Sequence, residues 1–60
     1  MRITQINKGY VVQTDDGETL QMLNRKSLIW NLKNVFRIKG EAGKAIMKSL
    51  DTDGVAVVAA

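Results

Sequence analysis

The chain has 60 residues, with nine Lys and Arg against six Asp and Glu for a net charge of +3, and it contains no Cys, His or Pro. A core this small buries only about 60% of the unfolded surface, so a single domain is all it can form. Without Cys there is neither a disulfide framework nor a thiol nucleophile. Without His there is neither an imidazole base nor the usual zinc site, so no enzyme, metal site or cofactor is expected.

The first 23 residues read as strands. Arg2–Ile6, Tyr10–Thr14 and Glu18–Leu23 are rich in Ile, Val, Thr and Tyr and are separated by turn chemistry. Asp15-Asp16-Gly17-Glu18 carries the Asp-Gly pair of a two-residue type I′ hairpin, and Asn7-Lys8-Gly9 fits a three-residue loop with Gly9 in the left-handed position. With those loop lengths Thr14 faces Thr19, Val12 faces Gln21 and Tyr10 faces Leu23 on one side, while Val11, Gln13, Leu20 and Met22 fall on the other. Apolar side chains then occur on both faces, which predicts that both are covered and, for so short a chain, that it forms a homo-oligomer.

Residues 25–39 read as an amphipathic helix, started by Asn24 or Ser27 and closed by Gly40. At 100° per residue Leu28, Ile29, Leu32, Val35 and Phe36 span an arc of about 120°, the width of a core-facing stripe. Residues 41–50 read as a short second helix with Ala42, Ala45, Ile46 and Leu50 on one side, weakened at Gly43 by roughly 1 kcal/mol relative to Ala. Asp51-Thr52-Asp53-Gly54 reads as a turn and Val55–Val58 as a last strand. The order β-β-β-α-α-β predicts one small α+β domain over residues 1–60: a three-stranded antiparallel meander, an amphipathic helix, a short second helix and a C-terminal strand.

Hydrophobic residues at 45% and charged residues at 25% are typical of globular domains and argue against disorder. The longest apolar run, residues 55–60, is far below the roughly 20 residues needed to cross a bilayer. The N-terminal residues lack the apolar segment of a secretory signal. A cytoplasmic protein is therefore expected, with no membrane partner.

Charge is unevenly spread. Residues 1–23 carry Arg2 and Lys8 against Asp15, Asp16 and Glu18, net −1; residues 24–40 carry Arg25, Lys26, Lys33, Arg37 and Lys39 with no acid, net +5; residues 41–60 carry Lys44 and Lys48 against Glu41, Asp51 and Asp53, net −1. With an isoelectric point near 9.6, this basic helix raises the question of nucleic acid. Lys26, Lys33 and Arg37 cluster on one flank with Trp30 beside them, where cations can neutralise phosphates and an indole can stack on an unpaired base. The competing reading packs Trp30 on Ile46 and Leu50 in the core, or buries it in an oligomer interface, with the basic groups a solvated face.

Other constellations carry less. Asp51-Thr52-Asp53-Gly54 lacks the later ligands of a calcium loop, and Asp15, Asp16 and Glu18 surround a turn where carboxylates are exposed and ordinary. The glycines follow no phosphate-loop spacing, and Ser27 and Ser49 have no histidine to activate them.

The succession Ile3–Ile6, Asn7-Lys8-Gly9-Tyr10-Val11-Val12, Asp15-Asp16-Gly17-Glu18 and a helix from Ser27 resembles short phage-encoded open reading frames that run strand, Gly-Tyr, strand, Asp-Gly, strand, helix. The resemblance covers about two-thirds of the chain. It implies a small accessory protein that binds nucleic acid or a host protein. The expectation is thus a basic, non-enzymatic binding module that contacts DNA or RNA through Arg25, Lys26, Trp30, Lys33 and Arg37; the alternative is a factor that binds and modulates a host protein.

Overall fold

A computed structural model describes residues 1–58. Its N-terminal half is a meander of β1 (Arg2–Ile6), β2 (Gly9–Gln13) and β3 (Thr19–Met22). Helices α1 (Arg25–Asn34) and α2 (Gly40–Asp53) follow, and β4 (Val55–Val57) returns to pair antiparallel with β1, Ile3 opposite Ala56. The sheet order is β3-β2-β1-β4, all antiparallel. This is the expected α+β architecture, with α2 running on through Asp51-Thr52-Asp53 and ending at Gly54, whose amide bonds the Leu50 carbonyl at 2.9 Å.

The two hairpin loops have the opposite lengths to those expected. Ile6 pairs with Gly9, so the first loop is the two residues Asn7-Lys8. Gly9 sits at φ 131°, and a Cβ there would run into the Met22 carbonyl of β3. In the second hairpin the Thr14 amide bonds the Glu18 carbonyl at 2.9 Å and the Gly17 amide bonds the Thr14 carbonyl at 3.2 Å, enclosing three residues with Gly17 at φ 92°. The Thr14 hydroxyl selects this loop: it bonds the Asp16 carboxylate and accepts the Glu18 amide at 3.1 Å.

That extra loop residue shifts the β2–β3 register by one and exchanges the faces of β3. Val12 now faces Leu20 and Tyr10 faces Met22. Ile3, Tyr10, Val12, Leu20, Met22 and Ala56 therefore share one face, while Arg2, Gln13, Thr19 and Gln21 share the other with Thr4, Val11, Val55 and Val57. The apolar face joins Leu28 and Leu32 of α1 and Ile46 and Leu50 of α2 in a single core. Both helices cover that face, while the opposite one keeps Val11, Val55 and Val57, the last 76% exposed.

α1 stops five residues short of the expected Lys39. Asn31 and Asn34 donate their side-chain amides to the Ser27 and Trp30 carbonyls at 2.8 and 2.9 Å, and the β-branched Val35 follows. The amides of Val35 and Phe36 both reach the Asn31 carbonyl, and Ile38 reaches that of Leu32 at 2.8 Å. The chain leaves this knot through Arg37, the one described non-glycine residue at positive φ (57°), and α2 begins at Gly40.

Candidate functional site

Helix α1 starts cleanly because Asn24 is extended and its side-chain oxygen accepts the Ser27 amide at 2.8 Å. With Leu28 and Leu32 turned into the core, the helical period puts Lys26, Trp30 and Lys33 on the outward side. Trp30 is 59% exposed, which removes the reading in which it packs on Ile46 and Leu50.

The other two predicted residues are placed differently. Arg25, the first residue of α1, holds Asp51 in the last turn of α2 with Nη1 to Oδ1 at 2.7 Å and Nη2 to Oδ2 at 3.0 Å. This pairing pushes the guanidinium pKa up and holds the carboxyl below its usual range. Arg25 is thus committed to a partner within the chain. Arg37 lies beyond the end of α1, in the left-handed turn, and does not extend the flank of Lys26 and Lys33.

The structure adds cations that the sequence reading left out. An open groove of about 700 Å³ runs between α1 and α2. Ile29, Leu32, Ile38 and Met47 form its apolar lining, and Lys33, Lys39, Lys44 and Lys48 stand along it. Among the described residues the ion pairs are Met1 with Asp15 and Arg25 with Asp51, so these four lysines and Lys26 are in none. The missed signal was the i, i+4 spacing of Lys44 and Lys48 around Met47. It was masked by the net −1 of residues 41–60, where Asp51 is already neutralised by Arg25.

Acidic groups collect elsewhere. Asp15, Asp16 and Glu18 at the β2–β3 turn line a shallower depression with Met1, Val35, Phe36 and Val58. A hydrogen bond from Thr14, ahead of backbone contacts, keeps the Asp16 carboxyl below its ordinary pKa, so it stays ionised at neutral pH. Three of the six carboxylates thus stand at a sheet turn, and Glu41, Asp51 and Asp53 lie on α2 with Lys44 and Lys48. No described helix is long and apolar enough to cross a membrane. No family model matches the chain, and neither the curated proteins nor the solved structures yield a match.

Proposed function

We propose that this chain is a small non-enzymatic module that binds nucleic acid through the outward face of α1, with Lys26 and Lys33 on phosphates and Trp30 stacked on a base. The observation that carries this reading is the exposure of Trp30, at 59%, between two lysines without acidic partners. An indole left in water loses the burial that normally stabilises aromatic residues, and stacking on an unpaired base restores it at roughly 1–3 kcal/mol per base. Lys39, Lys44 and Lys48 widen the positive field and steer a polyanion to the same side of the molecule. Arg25 and Arg37 drop out of the contact set.

The test is a titration of fluorescein-labelled single- and double-stranded oligonucleotides of about 20 nucleotides, followed by anisotropy and by the emission of Trp30. Binding with quenching of Trp30, weakening with salt at a slope of about −1.4 for two phosphate contacts on a single strand, supports the reading. Absence of binding to either oligonucleotide at low salt ends it.

A further inference from the structure

The α1–α2 groove offers a chemistry that the outward face of α1 does not. Ile29, Leu32, Ile38 and Met47 make its lining aliphatic. It has no aromatic ring on which a base could stack, and the side chains of its floor carry no group to pair with a base edge. Ile29 is 46% exposed there, a large apolar side chain left without cover. Along the groove stand Lys33, Lys39, Lys44 and Lys48, and the one carboxylate, Asp51, is held by Arg25. An occupant therefore has to be apolar where it enters and negative where it emerges.

Gly43 is the second observation. It lies in the first turn of α2, three residues after Gly40, where a residue with a side chain would favour the helix more. No positive φ requires it, and a Cβ built there meets nothing nearer than the Ile38 carbonyl at 4.0 Å. No close approach of chains explains the glycine. Gly43 lines the groove, and its missing side chain leaves that stretch of the lining open.

We propose that this groove docks an amphipathic helix of an acidic protein partner, with leucine-like side chains against Ile29, Ile38 and Met47 and carboxylates against the four lysines. Helix-in-groove recognition has this form: apolar anchors at i, i+3, i+4 and i+7 are set into a trough, and the rim charges fix orientation. Met47 suits such a trough because its unbranched thioether adapts to the anchor it meets.

The experiment titrates the ¹⁵N-labelled full chain with a synthetic peptide of about 18 residues carrying Leu on one helical face and Glu elsewhere, and with a scrambled peptide of the same composition. Saturable shifts at Ile29, Ile38, Gly43 and Met47, with the scrambled peptide binding roughly tenfold more weakly, are expected. Gly43→Leu fills the groove from open space, so it keeps the circular dichroism of the parent and a melting temperature no lower than the parent's, while weakening the amphipathic peptide roughly tenfold or more. Equal binding of both peptides, no binding of either, or unchanged affinity of Gly43→Leu overturns the proposal. So does a single-stranded oligonucleotide shifting Ile38, Gly43 and Met47 as the peptide does, which assigns the groove to nucleic acid, or the concentration dependence of these resonances in the free protein, which assigns it to a second copy of the chain.

Discussion

Arg25 and Asp51 clamp the start of α1 to the end of α2, guanidinium to carboxylate through two parallel hydrogen bonds of 2.7 and 3.0 Å. Each charge is at the wrong end of its own helix. A cation in a first turn and an anion in a last turn both oppose the helix dipole, and the pair offsets what each loses there. The clamp also removes the one carboxylate along the groove from competition for lysine.

The clamp is pH-dependent in a defined direction. Asp51 has its folded pKa lowered, mainly by the Arg25 hydrogen bond, so its contribution is present above the unfolded carboxylate value and is lost as pH falls through the folded one. Melting temperature should therefore drop below about pH 4. Asp16, lowered chiefly by Thr14, acts in the same window. In Asp51→Asn the acid-induced drop, followed by circular dichroism between about pH 6 and pH 2.5, should be smaller than in the parent; an identical profile would show that the clamp adds nothing.

Two glycines separate opposite outcomes for the same substitution. Gly9→Ala places a Cβ against the Met22 carbonyl at φ 131°, and backbone cannot yield as a side chain would; a loss of about 2 kcal/mol or more is expected. Gly43→Ala meets open space in a helix and should raise stability by up to about 1 kcal/mol. Urea unfolding of both variants reads the two signs directly.

The element order was legible because each strand and helix carried its own local signal, from the Val-rich runs to the Asn24 cap. The register was not. It turned on a side chain outside the Asp-Gly pair, the Thr14 hydroxyl, which holds Asp16 and Glu18 and so makes the loop one residue longer. One residue exchanges every side chain of β3 between faces, so Leu20 and Met22 join Tyr10 and Val12 on the core face instead of lying opposite them. The site was legible in part for a similar reason. Lys26, Trp30 and Lys33 follow from helical periodicity alone, whereas Arg25 and Lys44 depend on where α2 lies, which no local pattern encodes.

Arg37 sits in a conformation that L-residues adopt at a penalty of roughly 1–2 kcal/mol, while glycine adopts it freely but gives up more chain entropy. Arg37→Gly should therefore gain about 0.5–1 kcal/mol, raising the melting temperature by a few degrees in a chain of this size. Because Arg37 has left the flank of Lys26 and Lys33, the same variant should weaken oligonucleotide binding less than Lys33→Glu does. Equal losses in the two variants would return Arg37 to the contact surface.

Leu28 and Trp30, two residues apart on α1, divide stability from recognition. Leu28 is fully buried and Trp30 is 59% exposed. Leu28→Ala removes a core side chain, a loss of about 2–5 kcal/mol that is comparable to the whole stability of a domain this short, so most of the chain should unfold. Trp30→Ala takes away little that is buried and should change stability by less than about 1 kcal/mol. If Trp30 stacks on a base, the same change should weaken single-strand binding roughly fivefold to a hundredfold and leave its salt slope unaltered, since no phosphate contact is lost. A Trp30→Ala protein that is folded by circular dichroism and binds with full affinity would remove stacking from the mechanism and leave recognition to Lys26 and Lys33.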